Sequence, residues 1–153
     1  MAQAMGMGVM PWSPLKSGFL SGKFRRNDDG NVDTRRIGMV GLPSAADYDI
    51  IEVVVDVASE LGVSPATVAL AWVRSQAGVS STLIGARRID QLIANLDSLE
   101  VTLSAEQIGR LSDVSRPKLN FPAENNETLG LMLGFPGMTI DGKTAPSQAR
   151  LST

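Results

Sequence analysis

Four stretches of the chain carry apolar residues at the three- and four-residue spacing of an amphipathic helix. The first should begin near Ser44, where Asp47 completes a capping-box pattern with a shorter acid. It should end at Gly62, a residue suited to the left-handed position that closes many helices. Residues 53–55 are all valine and favour a strand by propensity, but the flanking caps favour a helix. The apolar positions of this helix are Ile50, Ile51, Val54, Val57, Ala58 and Leu61.

Three further helices follow. Ser64 as N-cap and Pro65 at the first helical position predict a helix that runs to about Ser75. Ser104 with Gln107 forms a second capping box before the last helix. The expected apolar faces are Val68, Ala69, Ala71, Trp72 and Val73 in the second helix, with Trp72 in the core; Ile89, Leu92, Ile93, Leu96 and Leu99 in the third; and Ile108, Leu111 and Val114 in the fourth.

Two short apolar segments predict strands. The first is residues 7–12, and the second, residues 81–84, follows a turn at Gly78. Each opens into a turn of small and basic residues: a loop that ends at Lys23, and the sequence Gly85-Ala86-Arg87-Arg88. Alternation of strand, turn and helix predicts an α/β architecture.

Both turns suit an anion. Small residues let backbone N–H groups approach a ligand closely, and Lys23 ends the first loop. Arg87 and Arg88 stand at a helix start, where a cation is unfavourable unless an anion joins it. Without further evidence, solvated arginines are the slightly favoured interpretation. Gln91 and Asn95 lie on the same side of the helix as Arg87, which suits either a ligand or a polar surface.

Several other residues also allow more than one interpretation. Trp12 could stack on a flat heterocycle, but its spacing favours the core. Tyr48, near a helix start, should be half-buried at the surface. Residues 24–43 form a long polar segment with two Arg-Arg pairs, which suggests nucleic acid. The interleaved aspartates, and the lack of an aromatic platform beside the arginine pairs, argue against that partner. The acids Asp28, Asp29, Asp47 and Asp49 should be solvated.

The amino-acid composition limits the kinds of site and partner that the chain can have. The 153 residues include no cysteine and no histidine, which excludes disulfides, thiolate or imidazole metal sites and Ser-His or Cys-His catalysis within the chain. The net charge of −2 gives no bulk attraction to nucleic acid or anionic membrane. We see no membrane-spanning run and no secretory signal, and the lack of cysteine suits a reducing compartment, so we expect a cytoplasmic protein.

Four motifs in order resemble the aldo-keto reductases, over roughly residues 6 to 116. The seventh strand of that family is similar to Pro11-Trp12-Ser13-Pro14-Leu15 with Gly18, Leu20 and Gly22-Lys23-Phe24, and its seventh helix to residues 61–73. Its eighth strand and cofactor turn are similar to Ile84-Gly85-Ala86-Arg87 with Gln91-Leu92 and Asn95-Leu96. Residues 103–106 resemble the segment leading into the helix after the barrel.

The resemblance implies an α/β fold that is the C-terminal part of a (β/α)8 barrel. Residues 1–115 would hold the last two strand–helix units and the trailing helix, and residues 116–153 an irregular tail. Together they would form one incomplete domain.

The resemblance also implies NADPH as cofactor, bound in an extended pose. Trp12 would stack on the nicotinamide. Ser13, Pro14, Leu15, Lys16 and Ser17 would line the pyrophosphate through backbone groups, with Lys23 adding charge. Arg35, with Arg36 an equal alternative, would fold over the cofactor. Gly85 and Arg87 would face the adenosine 2′-phosphate, with Gln91 and Asn95 near the adenosine. A guanidinium fork suits a phosphate dianion and favours NADPH over NADH. Ala94 departs from the acid often found there.

In that family a tyrosine, lysine, aspartate and histidine from the first half of the barrel support hydride transfer to a carbonyl. The only tyrosine here, Tyr48, lies in a different segment, so we assign no catalytic residue and expect this chain alone to be inactive. A small-molecule carbonyl substrate would require completion by an N-terminal half. The alternative is a non-catalytic nucleotide-binding or interaction module that pairs with another chain or with itself through exposed barrel edges. Neither nucleic acid nor membrane is expected as a partner.

Overall fold

The computed structural model describes residues 2–26, 41, 43–124, 139–140 and 143–144. They fall in two units, Met1–Arg116 and Pro117–Thr153, which we describe separately. The expectations for Asp28, Asp29, Arg35 and Arg36 lie outside the described residues.

Helix α1 spans Ala45–Leu61 and is closed at both ends as its sequence predicts. The side chain of Ser44 accepts from the backbone N–H of Asp47, and the Asp47 carboxylate accepts from the backbone N–H of Ser44. Gly62 ends the helix with φ of 67°, a left-handed conformation that glycine adopts without steric cost. These caps outweigh the strand propensity of the three valines, and the helix prediction is confirmed.

Helices α2, α3 and α4 span Pro65–Ser75, Ile89–Leu96 and Ala105–Val114. The caps predicted at Ser64 and Ser104 are both present. A 3₁₀ turn, Asp97–Leu99, extends α3, and another 3₁₀ segment, Lys16–Ser21, lies in the first loop. Among the described residues no single helix is long and apolar enough to cross a membrane, and α1 with α2 reaches that length and hydropathy only as a pair bent by 100°.

The main core of the first unit lies where α1, α2 and α4 meet. Val57 and Val68 are fully buried at its centre. Five consecutive residues of α2, from Thr67 to Ala71, are buried, so this helix is covered on all sides rather than along one face. Trp72 is only half-buried, and its indole N–H donates to Ser112 Oγ on α4 at 3.1 Å. The core members are Val54, Val57, Ala58, Val68, Ala69, Ala71, Leu103 and Leu111.

A second core cluster anchors the first loop to α1. Phe19 and Phe24 pack edge to face, with ring centroids 4.8 Å apart, against Ile51 and Val55. Tyr48 is half-buried beside them, as predicted. The loop is therefore part of the folded unit and not a loose connection.

Polar contacts tie the remaining helices together. The Arg74 guanidinium on α2 donates to the carbonyl oxygens of Ser98 and Val101, at 3.2 and 2.7 Å. These carbonyls lie at and just beyond the end of the α3 extension, where a cation is electrostatically favourable. Arg110 on α4 pairs with Glu60 on α1.

The two predicted strands pair in parallel but do not form regular strands. Val9 bridges Val79, and Trp12 bridges Leu83. Three residue steps in the first segment match four in the second, so the register slips by one residue, as at a β-bulge. Pro11 has no N–H to donate to a ladder. These two features explain why isolated bridges replace the expected strands.

In the second unit, Thr139–Ile140 (β1) and Lys143–Thr144 (β2) form a short antiparallel pair. The backbone N–H groups of Ala123 and Glu124 donate to the carbonyl of Asn120.

The Asp47 carboxylate joins the first loop to α1. Besides capping the helix, it forms an ion pair with Lys16 of the loop. The hydrogen bond from Lys16 is the largest cause that lowers the pKa of Asp47, and those from Ser44 add to it, against an opposing effect of burial. Asp47 was expected to be solvated, which is wrong, because its carboxylate serves two partners at once. Asp49 is exposed but pairs with Arg26.

We expect Ile51→Ala to lower the free energy of unfolding by about 2–5 kcal/mol, because it leaves a cavity at a side chain that is 1% exposed. The matched control is Ile89→Ala on α3, where the side chain is 71% exposed and the change should stay within about 0.5 kcal/mol. Urea titration followed by far-UV circular dichroism measures both. Equal losses would contradict the assigned core.

Acidification should lower the free energy of unfolding, and protonation of Asp47 should account for part of the loss. Because its pKa is lower in the folded state, its contribution to stability is present above its unfolded pKa of about 4 and is lost as pH falls through the folded value. Asp47→Asn should therefore flatten the slope of the unfolding free energy between about pH 5 and pH 2. Asp56→Asn, on the exposed side of α1, is the control that should keep the slope.

Candidate functional site

The parallel pairing places the two candidate turns at one edge of the first unit. Backbone N–H groups of Ser80 and Leu83 donate to the carbonyls of Val9 and Pro11, at 2.9 and 3.1 Å. Parallel segments end at the same edge, so the loop after Trp12 and the turn after Ile84 leave from that edge together. The sequence predicted each turn separately, and the pairing shows that they follow the same ends of two paired segments.

The first loop holds an unusual backbone conformation. Ser13, Lys16 and Ser17 have φ of 55°, 46° and 55°, in the left-handed region that non-glycine residues rarely adopt. Each such residue costs on the order of 1–3 kcal/mol and persists only where surrounding contacts hold it, often at ligand sites. The Phe19 and Phe24 anchor supplies those contacts.

Several N–H groups of this loop are already used within it. The N–H groups of Lys16 and Gly18 donate to the carbonyls of Ser13 and Leu15, both at 2.9 Å. The N–H of Ser17 donates to Ser13 Oγ at 3.4 Å. An anion at this loop would have to be bound by other groups or displace these bonds.

Gly22 fixes the far end of the loop against α2. Its φ is 80°, and a β-carbon there would lie 2.7 Å from Cγ of Pro65. A side chain at residue 22 would thus push the loop away from the start of α2. Lys23, the next residue, is exposed.

Trp12 is not a core residue, contrary to what its spacing favoured. It is 83% exposed. Its bridge partner is Leu83 on the second segment. Side chains paired across a bridge share a face, and alternate residues change face. Leu83 is 48% exposed, so the bridged pair presents an open apolar surface on which the indole is accessible.

Two other cations of the loop region have acidic partners. Lys16 pairs with Asp47, and its ammonium lies 5.9 Å from the centroid of the Phe19 ring. Arg26 pairs with Asp49 and Glu52 and lies over the ring of Tyr48. The hydrogen bond and charge of Glu52 are the main causes that raise the pKa of Arg26. Both side chains hold the loop to α1.

The two arginines of the second turn, Arg87 and Arg88, differ in their ion pairing. Arg88 forms an ion pair with Asp90, two residues on, and this hydrogen bond raises the pKa of Arg88 and lowers that of Asp90. The exposed side chain of Arg87 forms no ion pair with any residue that the structure describes. Its backbone N–H donates to Oε1 of Gln91 at 3.2 Å. Arg87 thus stands beside the N-terminus of α3 with its charge uncompensated by the described residues.

The other predicted site residues differ in how exposed they are. Gly85 is exposed, and a β-carbon at this position would meet no atom within 4 Å. Asn95 is 7% exposed and lines the cavity beneath α3, away from the exposed turn. Pro14 and Leu15 are half-buried in the first loop, and Leu15 also packs against the main core.

No pattern in the sequence indicated that Asp47 joins the first loop to α1. The capping box that includes Asp47 could be predicted from the sequence. The contact with Lys16 could not, because Lys16 is 31 residues away and no local pattern links the two. Within the described residues no group of three or more acids could hold a metal ion. What the two turns offer chemically is an accessible indole at Trp12, the exposed basic side chains of Lys23 and Arg87, and a strained loop after Trp12.

Comparison with known proteins identifies the family. The model of the aldo/keto reductase family matches residues 1–116. An uncharacterized oxidoreductase of Bacillus subtilis, YrpG, is 32% identical over 127 residues, which cover 83% of this chain and 36% of that protein. A rice protein (Oryza sativa subsp. japonica) named as a probable voltage-gated potassium channel subunit beta is 34% identical over 125 residues, 74% of this chain and 37% of that protein.

A Saccharomyces cerevisiae protein named as a candidate aryl-alcohol dehydrogenase is 31% identical over 128 residues, 80% of this chain and 82% of that protein. The chain thus spans about a third of the length of the Bacillus and rice relatives and most of the length of this yeast one. With a family model matched over residues 1–116, this chain belongs to the aldo/keto reductase family.

Proposed function

We propose that this chain contributes the phosphate- and adenosine-binding part of an NADPH-dependent aldo-keto reductase that reduces an aldehyde or ketone. The family implies a (β/α)8 barrel, in which ligands bind at the carboxyl ends of the strands. The observation that carries the proposal is the parallel pairing, which directs both candidate turns to that end.

The described residues fit such a dinucleotide in chemistry. The exposed indole of Trp12 offers a flat face to a nicotinamide, and Lys23 offers charge to a pyrophosphate. Arg87, exposed at a helix N-terminus, suits a 2′-phosphate, since a phosphate dianion would offset both the guanidinium and the helix dipole. Arg35 is kept in the proposal on the resemblance alone, because it lies outside the described residues.

Each residue has a separate task in this proposal. Arg87 and the backbone at Gly85 bind and orient the phosphate end, with Gln91 toward the adenosine. Asn95 is kept in the proposal on the resemblance alone, because its side chain is buried in the cavity beneath α3. Residues 13–17 and Lys23 line the pyrophosphate, and Trp12 covers the ring that supplies hydride when the cofactor is bound. This orients the reacting ring toward the open face, where a carbonyl substrate must be placed.

The proton donor comes from outside this chain. Tyr48 is the only tyrosine, and its ring packs against the Phe19 and Phe24 cluster and under Arg26. The chain holds no histidine. Reduction therefore requires further barrel residues that carry an acid, and the chain spans about a third of its Bacillus relative.

A second candidate is a non-catalytic module that binds a nucleotide and pairs with another polypeptide. It is favoured by the exposed apolar face of α3 and by relatives named as channel subunits. The two candidates share the cofactor site and differ only in turnover. Adding the portion of Bacillus subtilis YrpG that this chain does not match, and measuring carbonyl reduction, separates them.

The purified chain should not reduce carbonyls. With NADPH and a simple aldehyde, we expect the NADPH absorbance band to fall no faster than it does without protein. The reason is that this proposal assigns no proton donor to the chain. Steady, protein-dependent loss of that band would contradict the assignment of catalysis to residues outside the chain.

Arg87 should set cofactor preference. We expect Arg87→Ala to weaken binding of NADP about tenfold or more, the usual worth of a charged hydrogen bond, while binding of NAD changes little. Arg88→Ala is the matched control and should keep the preference, since Arg88 pairs with Asp90. Isothermal titration with both dinucleotides measures this. Equal effects of the two variants would contradict the role of Arg87.

A further inference from the structure

The part of the first loop between Trp12 and Phe19 contains a lysine in a conformation that suits glycine. The φ of Lys16 is 46°, and a glycine would take this value without steric cost. Ser13, Ser17 and Gly18 have positive φ as well. We call residues 13–18 the left-handed segment. Such a conformation persists only where surrounding contacts hold it, so the question is which contacts hold Lys16.

The left-handed segment closes its turns with its own hydrogen bonds. Among the described residues, its backbone–backbone hydrogen bonds stay within the first loop, as from the N–H of Gly18 to the carbonyl of Leu15 at 2.9 Å. Its apolar contacts with the rest of the unit are at Leu15, which packs against the main core, and at the neighbouring Phe19 of the second cluster. Lys16 lies between these two contacts.

The side chain of Lys16 adds a polar contact with α1. Its ammonium forms an ion pair with Asp47 and lies 5.9 Å from the centroid of the Phe19 ring. The side chain of Asp47 is only 18% exposed, so water weakens this pair less than it weakens ion pairs on an open surface. The same carboxylate accepts from the backbone N–H of Ser44, which fixes it at the first turn of α1.

The ion pair also sets the charge that a ligand meets at this loop. An unpaired Asp47 would repel a pyrophosphate, whereas the pair with Lys16 is neutral as a whole. The hydrogen bond from Lys16 is the main cause that lowers the pKa of Asp47, so the carboxylate stays ionised and paired at neutral pH. The exposed Lys23, beyond the left-handed segment, then supplies positive charge for the ligand.

We propose that the ion pair of Lys16 with Asp47 holds the left-handed segment in place, and that Asp47 is thereby a positioning residue for the pyrophosphate of a bound dinucleotide. The inference rests on the proposed function, in which residues 13–17 line the pyrophosphate. Asp47 acts through Lys16 and the loop backbone and does not touch the ligand. Without the pair the segment populates other conformations, and the apparent affinity falls with the fraction that keeps the binding one.

Two substitutions, called the pair variants below, remove the ion pair from opposite sides. Asp47→Asn keeps an oxygen that can accept from the N–H of Ser44, and Lys16→Met leaves the Asp47 cap unchanged. The matched control is Glu60→Gln, which breaks the ion pair between the other end of α1 and Arg110 on α4. The control therefore loses an ion pair of α1 without touching the first loop.

The first measurement is amide hydrogen exchange, which needs no ligand. The N–H groups of Gly18 and Leu20, which both donate to the carbonyl of Leu15, report on the left-handed segment. We expect them to exchange about fivefold faster or more in both pair variants and at an unchanged rate in the control. The N–H of Val68 in the main core is the internal reference. An equal acceleration there would reveal a general loss of stability and would contradict a local role.

The second measurement is isothermal titration with NADP, NAD and adenosine 2′-monophosphate. Both dinucleotides contain the pyrophosphate, so we expect each pair variant to weaken both by a similar factor of about three to ten. The monophosphate has no pyrophosphate and should bind the pair variants as it binds the unaltered chain. Arg87→Ala should instead weaken NADP and not NAD, so the two kinds of residue are distinguished.

Other outcomes decide against the proposal. Unchanged exchange in both pair variants would show that the ion pair does not hold the left-handed segment. Faster exchange with unchanged dinucleotide binding would show that Asp47 does not position the ligand, and tighter binding would show that it competes with the ligand for Lys16. If the unaltered chain binds neither dinucleotide, the proposed function fails, and the exchange rates still decide whether the pair holds the segment.

Discussion

The packing of α1 against α2 is the contact on which the rest of the first unit depends. Val57 and Val68 are fully buried there, and α4 covers the same core. The first loop is held on the opposite part of α1 by Phe19 and Phe24, and the second turn follows from the end of α2. Both candidate turns thus take their positions from one helix pair, although they lie more than sixty residues apart in sequence.

The sequence predicted well what local chemistry determines. The caps at Ser44, Ser64 and Ser104 and the left-handed end at Gly62 are confirmed, because each needs only residues within one turn. The parallel relation of the two segments also follows from alternation of strand, turn and helix. Regular strands did not follow, because a one-residue slip in register and the missing N–H of Pro11 interrupt the ladder.

What the sequence could not predict depends on residues far along the chain or on whether a given surface is covered. The ion pair of Lys16 with Asp47 joins residues that no periodicity relates. The spacing of α3 predicts an apolar face, but spacing cannot show whether anything covers it. Trp12 illustrates the same point: an apolar neighbourhood favoured the core, yet the side chain is on the open face. At these positions the pattern predicts that a side chain is apolar but not whether it is buried.

The contrast between the two tryptophans has a practical consequence. Trp12 is almost fully exposed beside the first loop, whereas Trp72 is half-buried with its indole N–H bonded to Ser112. A water-soluble quencher should therefore reduce the fluorescence of Trp12 strongly and that of Trp72 only weakly. The chain carries one intrinsic optical reporter at the candidate site and another on the helical core.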